Sequence, residues 1–301
     1  MNAAIIFLIL LALMLTGMPI SISLGLTVLT FLFGFTHVPL ESVALKLFTG
    51  IEKFEIMAIP FFILAGNFLT HGGVARRMIN FATAMVGHWH GGLGLAGVMA
   101  CALFAAVSGS SPATVVAIGS ILLPAMVKQG FPNSFGAGVI TTSGALGILI
   151  PPSIVMVMYS VATNTSVGQL FMAGVVPGLM LAGLLGLTTW YRARKYNYPR
   201  LAKASWGQRV KALRESVWGL LLIVVVIGGI YSGIFTPTEA AAMSAVYAFI
   251  VAVFVYKDMT LKLVPKVLLA SSSMSAMLLY IITNAVLFSF LMTSENIPQS
   301  M

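Results

Sequence analysis

The longest stretch of this chain without a charged residue covers residues 129–191. A water-soluble domain carries charge on about a quarter of its residues and would not leave such a stretch uncharged. In the whole sequence only 8% of residues are charged and 59% are hydrophobic, with a mean hydropathy of +1.03. This balance excludes a soluble globular protein and a disordered one. It predicts an all-α membrane protein, a multispanning helical bundle.

The few charged residues are unevenly placed. Sixteen Lys and Arg outnumber seven Asp and Glu, which gives a net charge of +9, and eight of the basic residues lie within residues 192–214. Such a cluster between apolar segments is typical of a loop that faces an anionic membrane surface, so we expect no nucleic-acid partner. The single cysteine, Cys101, lies in an apolar run and excludes an intrachain disulfide.

The apolar segments predict how the chain enters the membrane. Residues 3–35 would form a helix about 50 Å long, which favours one crossing kinked near Gly17 and Pro19. No basic residue precedes this run, so it predicts a retained membrane helix and not a cleaved signal peptide. The other apolar segments are residues 56–70, 93–107, 113–127, 135–161, 170–191, 217–235, 240–256 and 267–292.

Residues 91–130 differ from the other segments. They contain two apolar runs of about fifteen residues, short of the roughly twenty that a crossing needs, so they predict a re-entrant helical hairpin. With one crossing for every other segment, fourteen of the sixteen basic residues then share one face of the membrane. The positive-inside rule makes that face cytoplasmic, including the basic loop at residues 192–214.

Two segments are expected to lie at the membrane surface. Apolar residues recur at helical spacing within residues 72–81, with Arg76 and Arg77 on the other face, which predicts an amphipathic interfacial helix. The basic loop ends near Trp206 and Trp218, so a second interfacial helix with aromatic anchors is expected there.

A first break in a predicted helix lies at residues 108–114, Ser-Gly-Ser-Ser-Pro-Ala-Thr. Proline removes a backbone donor, glycine permits non-helical angles, and the hydroxyl groups can satisfy freed backbone groups. Non-helical backbone at membrane depth often coordinates an ion through its carbonyls. The helix that starts after the break directs its positive end to the same point, so a cation and an anion could be neighbours there.

A second break lies at residues 141–153, where two prolines follow two glycines. The prolines remove consecutive donors and disfavour helical angles before them, while Gly144 and Gly147 let the chain unwind. This pattern predicts a discontinuous helix over residues 133–163. Either cluster alone is also typical of an ordinary packing kink, which remains the alternative, whereas two clusters in neighbouring segments favour a binding site.

The oxygen atoms of these breaks are neutral. No carboxylate or histidine lies within residues 91–191, so the groups of a proton relay are missing, and Na⁺ is favoured, with K⁺ as the alternative. His88 and His90 flank Trp89 without another ligand nearby, which favours an interfacial anchor over a metal site. The sequence contains no catalytic triad, P-loop or paired carboxylates, so we expect no enzyme and no cofactor.

Four sequence motifs, in this order along the chain, resemble those of a known family. They are Gly50 with the later run from Pro60 to Gly66, residues 108–114, residues 141–153, and the run from Gly233 to Ala242. Together they resemble the large membrane subunit of tripartite ATP-independent periplasmic (TRAP) transporters, the DctM type, over essentially all 301 residues. The resemblance implies an elevator-type, sodium-driven importer of an organic acid anion such as a C4-dicarboxylate in the bacterial inner membrane. It also implies two partners, a small membrane subunit and a periplasmic substrate-binding protein.

The resemblance further implies which residues bind the ion and the substrate. The sodium-binding candidates are Ser108, Gly109, Ser110, Ser111, Ser143, Gly144, Gly147 and Pro151. The substrate-binding candidates are Ser110, Ser111, Pro112, Ala113, Thr114 and Pro152. By the resemblance, these residues form one sodium site and half of the substrate site.

One departure from the family pattern concerns the second half. Members have a second, inverted repeat with its own hairpin and Pro-Pro break, and neither occurs before Met301. We therefore expect a complete first repeat, with residues 216–301 holding two further spans and the start of an incomplete second repeat. Two alternatives remain, a different elevator family for citrate or dicarboxylates and a scaffold subunit that transports nothing. A scaffold has no use for two hydroxyl-rich breaks at membrane depth.

Overall fold

The structure, a computed structural model, describes residues 2–36, 39–295 and 297. Within this part every regular element is helical, which confirms the predicted all-α class. Six helices are long and apolar enough to cross a membrane, or seven if one bent pair counts as a single span. The chain is therefore an integral, multispanning membrane protein.

Fourteen α-helices are present in the described residues. They are α1 (Asn2–Leu15), α2 (Ile20–Phe35), α3 (Leu40–Thr49), α4 (Ala58–His71), α5 (Val74–Val86), α6 (Gly92–Ser108), α7 (Ser111–Lys128), α8 (Asn133–Gly144), α9 (Leu146–Leu149), α10 (Ile154–Thr163), α11 (Val167–Lys195), α12 (Trp206–Tyr231), α13 (Pro237–Ile250) and α14 (Val264–Ser294). A π-helix, Val251–Val255, extends α13, and short 3₁₀ helices precede α4 and α14. The contacts divide the chain into two units, unit 1 with residues 1–56 and 273–301 and unit 2 with residues 57–272.

In unit 1 the structure differs from the prediction that residues 3–35 form one kinked crossing; that prediction was wrong. Helix α1 ends at Leu15, Gly17 adopts a φ of +82°, and α2 begins after Pro19. Ile6 near the start of α1 packs in one buried cluster with Phe31 near the end of α2, so the two helices fold back on each other. At about 21 and 24 Å, each is shorter than a 30 Å membrane core. The segment is a helical hairpin.

Helix α6 is the centre of unit 2. Fourteen of its 17 residues are buried, and α5, α7, α8 and α11 pack around it. Small residues permit this close packing, since a Cβ at Gly97 would lie 2.8 Å from Leu122 Cδ2. A helix without charged residues is thus enclosed by protein, and its C-terminal end is held in the interior of the unit.

Helix α5 confirms the predicted amphipathic helix. Its buried residues recur at helical spacing and are Val74, Ala75, Met78, Ile79 and Ala82. The side chain of Arg76 is 58% exposed, but that of Arg77 is only 18% exposed and forms an ion pair with Asp258. Only one of the two arginines therefore lies on the exposed face.

The basic segment at residues 192–214 is mostly helical. Helix α11 continues to Lys195, and α12 begins at Trp206 after a capping box formed by Ser205 and Gln208. The connection between the helices is therefore residues 196–205, and the last basic residues lie in the first turns of α12. A separate interfacial helix near Trp206, as predicted from the aromatic anchors, is not formed in this described segment.

Candidate functional site

The first predicted break is the turn between α6 and α7. Helix α6 ends at Ser108 and α7 begins at Ser111, with Gly109 and Ser110 between them. Gly109 has a φ of +62°, a left-handed conformation that favours glycine. Ser110 caps α7 because its Oγ accepts a hydrogen bond from the backbone N–H of Ala113 at 3.5 Å. The two helices pack against each other as a hairpin.

The hydroxyl groups of the tip form a buried network. Ser108 Oγ lies 3.0 Å from Thr114 Oγ1, which donates to the carbonyl oxygen of Ser110 at 2.8 Å. Ser108 and Thr114 are both buried, whereas Ser110 and Ser111 are half-buried and Pro112 is exposed. Of the substrate-binding candidates, Thr114 therefore directs its hydroxyl into the hairpin, and Pro112 lies on its outer side.

The second predicted break separates α9 from α10. Helices α8 and α9 together bend by 42° from α10, and Pro151, Pro152 and Ser153 in the break are buried. Ser153 caps α10 through a hydrogen bond from Met156 N–H to its Oγ at 3.4 Å. The prediction of a discontinuous helix in residues 133–163 is confirmed.

The structure brings the two breaks into direct contact. The backbone N–H of Ile154 donates to the carbonyl oxygen of Gly109 at 3.0 Å. A Cβ at Gly109 would lie 2.8 Å from Pro152 O, and one at Gly147 would lie 2.9 Å from Ser111 N. Two of the predicted glycines are thus required because backbone meets backbone at this point.

Ser143 and Gly144 lie beside this contact at the end of α8. A Cβ at Gly144 would lie only 2.1 Å from Val115 Cγ2, so α8 and α7 approach closely there. Ser143 is fully buried, and its hydroxyl has no hydrogen-bond partner within the part of the chain that the structure describes. Buried hydroxyls nearly always have a partner, so Ser143 Oγ departs from the common pattern.

Four helix ends meet at these breaks. The C-terminal ends of α6 and α9 carry partial negative charge, and the N-terminal ends of α7 and α10 carry partial positive charge. The sequence of α6 to α10 contains no ionisable group near the breaks, so helix dipoles and neutral oxygens set the local field. Such an arrangement can hold a small cation beside an organic anion.

The depth of the tip follows from the helices that pack on it. A Cβ at Gly66 of α4 would lie 3.3 Å from Ser108 Cα, and Gly66 is about 12 Å from the start of α4. The hairpin arms have 17 and 18 residues, not fifteen, and extend about 26 Å from the opposite end. The start of the tip, at Ser108, therefore packs against the middle of α4 and not against one of its ends.

Gly66 is the site residue that the sequence reasoning missed. It lies in the motif from Pro60 to Gly66, which contributed to the family resemblance but was assigned no role in binding. A glycine within an apolar helix was the available signal, because small residues in membrane helices often mark a close approach of backbone.

The comparisons with known proteins were consistent with each other. A family model described as the DctM component of the tripartite ATP-independent periplasmic transporter matches residues 7–301. The chain is 79% identical to a Rhodobacter capsulatus protein named C4-dicarboxylate TRAP transporter large permease protein DctM, covering all of this chain and 72% of that protein. It is 54% identical to a protein of the same name from Pseudomonas aeruginosa, covering 92% of this chain and 65% of that protein.

A more distant relative is named for a different substrate. The chain is 41% identical to an isethionate TRAP transporter permease protein, DctMQ, from Oleidesulfovibrio alaskensis, covering 94% of this chain and 45% of that protein. The chain thus spans 65–72% of the length of the two C4-dicarboxylate relatives and less than half of this third one.

Proposed function

Because the chain belongs to the DctM-component family of tripartite ATP-independent periplasmic transporters, we propose that it acts in the large permease subunit of a C4-dicarboxylate importer. The identity to relatives named for C4-dicarboxylates is 79% and 54%, against 41% to the one named for isethionate. This difference supports a C4-dicarboxylate over other organic anions as the substrate.

The observation that carries the proposal is the convergence of the hairpin tip with the break in the discontinuous helix. A transported ion and anion need a site that satisfies both charges without a fixed ionised side chain, so that both can be released. The C-terminal ends of α6 and α9 favour the cation, and the N-terminal ends of α7 and α10 favour a carboxylate. Ser110, which caps α7, and Ser111, which begins it, supply donors to that carboxylate, beside Pro112, Ala113 and Pro152.

Sodium is the cation that fits the available oxygens. Ser108 and Ser143 contribute buried hydroxyls, and the hydroxyl of Ser143 is unpartnered among the described residues. Carbonyl oxygens around Gly109, Gly147 and Pro151 complete a neutral set that suits a monovalent ion and leaves no net charge behind when the ion departs. Gly144 contributes by letting α8 approach α7.

Coupling between ion binding and substrate binding follows from the contact between the hairpin and the discontinuous helix. The hydrogen bond from Ile154 to Gly109 joins the hairpin to the discontinuous helix, so we propose that the two move as one body in an elevator motion. Sodium orders the oxygens of both breaks and so positions the donors of α7 for the carboxylate. By linkage, the substrate strengthens sodium binding by the same factor.

The proposed setting is the bacterial inner membrane, with the basic ends of α11 and α12 in the cytoplasm. A periplasmic binding protein delivers the substrate from the other face, and a small membrane subunit completes the complex. Both partners are proposed from the family.

The test is uptake by the full-length permease, reconstituted with its small subunit and binding protein in proteoliposomes. We expect accumulation of a radiolabelled C4-dicarboxylate only with an inward sodium gradient and with the binding protein present. A potassium gradient of equal size is the control for the ion, and labelled isethionate is the control for the substrate. Equal uptake with potassium, or without the binding protein, would contradict the proposal.

A further inference from the structure

We propose that a cleft at the basic end of unit 2 binds the phosphate of an anionic phospholipid headgroup. This His88 cleft has a volume of about 370 Å³ and is lined by His88, Trp89, His90, Trp190 and Arg200. Its residues come from the α5–α6 connection, the end of α11 and the segment between α11 and α12. The transport site uses none of them, so this inference does not depend on the proposed function.

His88 lines the cleft and carries a hydrogen-bond donor that is not used within the described chain. Trp89 Nε1 lies 2.9 Å from His88 Nε2, and because an indole nitrogen only donates, Nε2 must accept. The neutral imidazole then carries its proton on Nδ1. That atom is buried and has no partner among the described residues, so a donor is left without an acceptor. A phosphate oxygen is an acceptor of the required kind.

The charge around the His88 cleft is positive. Arg200 is exposed at the cleft, and the guanidinium carbon of Arg194 lies 5.5 Å from the centroid of the Trp190 ring that lines it. None of the five lining residues is acidic. Arginine binds phosphate through two parallel hydrogen bonds, so this surface selects an anion with several oxygens.

The surroundings favour a lipid over a soluble phosphate. Trp89 is half exposed, and tryptophan at the end of a membrane helix is typical of the headgroup level. Leu187 is one turn before Trp190 on α11 and is 59% exposed, and Leu184 one turn further is exposed as well. An acyl chain can therefore extend along α11 from a headgroup held in the cleft.

The cleft is held in place by backbone contacts. The N–H of Leu201 donates to the carbonyl oxygen of Gly87 at 3.0 Å, which joins the segment carrying Arg200 to the connection carrying His88. A Cβ at Gly87 would lie 3.1 Å from Leu201 Cδ1, so the two segments are also packed together. The segments that carry Arg200 and His88 are therefore already held together before a lipid binds.

The experiment is a lipid titration of the full-length permease purified in a neutral detergent, with bound lipid counted by native mass spectrometry. The probes are phosphatidylglycerol, phosphatidylcholine with the same acyl chains, and inorganic phosphate. We expect phosphatidylglycerol to bind at least tenfold more tightly than phosphatidylcholine, and inorganic phosphate at millimolar concentration not to displace it.

Three variants locate the site. Arg200→Gln should weaken phosphatidylglycerol binding about tenfold, whereas Arg214→Gln, which removes the same charge from an exposed position outside the cleft, should change it less than twofold. His88→Phe keeps a ring of similar size but removes the unpartnered donor, and it should also weaken binding. Equal losses in the two arginine variants would overturn the location. Equal binding of the two lipids would overturn the anion, and displacement by inorganic phosphate would overturn the lipid.

Discussion

At the scale of single residues, two glycines of helix α8 can be compared. Substituting each of them distinguishes the effect of close packing from the effect of helix propensity. A Cβ at Gly144 would lie 2.1 Å from Val115 Cγ2, while a Cβ at Gly138 would meet no described atom within 4 Å. Gly144→Val should push α8 away from α7 and raise the sodium concentration for half-maximal uptake at least tenfold. Gly138→Val changes the same helix by the same side chain and should leave that concentration unaltered.

The measurement is initial uptake by the full-length complex over a range of sodium concentrations, corrected for the amount of inserted protein. If both valine variants behaved like the unmodified protein, the breaks would be packing kinks and the ion would bind elsewhere. Ser110→Ala should be milder than Gly144→Val, because it removes one oxygen of several.

Ser143 supports a second prediction that needs no transport measurement. A buried hydroxyl without a partner costs about 1–3 kcal/mol, so Ser143→Ala should leave stability without sodium unchanged or raised. The rise in Tm on adding sodium should become smaller, because one of the proposed ligands is lost.

Ser160 on α10 is the matched control for Ser143. It is also buried, but its hydroxyl donates to the carbonyl oxygen of Thr165. Ser160→Ala should therefore lower Tm by the same amount with and without sodium. A full sodium-induced rise in Ser143→Ala would contradict the role of Ser143 as a ligand.

At the scale of elements, the breaks were predictable and the first turn of the chain was misinterpreted. Residues 108–114 and 141–153 contain Gly and Pro among hydroxyls, and each of these has a local effect on the backbone that the sequence makes visible. Gly17 and Pro19 are also a helix stop followed by a helix start. The uniform apolar character of residues 3–35 favoured one crossing, because a fold-back depends on contacts such as Ile6 with Phe31.

The contact between the two breaks could not be predicted for a similar reason. It depends on how α6, α7, α9 and α10 pack, and the pairs involved, such as Gly109 with Ile154, are distant in sequence. The unpartnered state of Ser143 likewise appears only once its neighbours are placed. Local chemistry therefore indicated the candidate residues, and packing decided which of them meet.

Helix α5 is attached to the segment before α14 through Arg77. The side chain of Arg77 pairs with Asp258, and its guanidinium carbon lies 3.8 Å from the centroid of the Tyr256 ring. The backbone carbonyl oxygen of Arg77 accepts a hydrogen bond from the hydroxyl of Ser216 at 2.9 Å. Burial raises the pKa of Tyr256, so the ring under the cation stays neutral. This group of contacts joins α5, α12 and the end of α13.

Two neighbouring arginines allow this attachment to be tested. Arg77→Gln should lower the free energy of unfolding by about 1–3 kcal/mol, because it leaves a partly buried carboxylate with a weaker partner. Arg76 contacts the same carboxylate at 3.3 Å but is 58% exposed, and Arg76→Gln should cost less than about 1 kcal/mol. Denaturant unfolding in detergent checks both. Equal effects would mean that charge alone, and not the inward packing of Arg77, stabilises the attachment.

At the scale of the whole molecule, sidedness follows from the distribution of charge. The basic residues concentrate at the ends of α11 and α12, and the α10–α11 connection at residues 164–166 carries no charge. Helix α11, with 29 residues, is long enough to cross the membrane between these two regions. We therefore expect the two ends of α11 on opposite faces of the membrane, with the basic end in the cytoplasm by the positive-inside rule.

Single cysteines at the two ends of α11 test this orientation directly. Ala202 and Gln169 are both exposed, and Cys101 is fully buried, so the unmodified chain should give little background labelling. In intact cells with a permeabilised outer membrane, a membrane-impermeant maleimide should label Gln169→Cys and leave Ala202→Cys unlabelled. Opening the inner membrane should make Ala202→Cys reactive, which shows that the cysteine is accessible and was protected only by its side of the membrane. Labelling of Ala202→Cys in intact cells, with Gln169→Cys protected, would reverse the topology, and the substrate would then meet the hairpin tip from the opposite face.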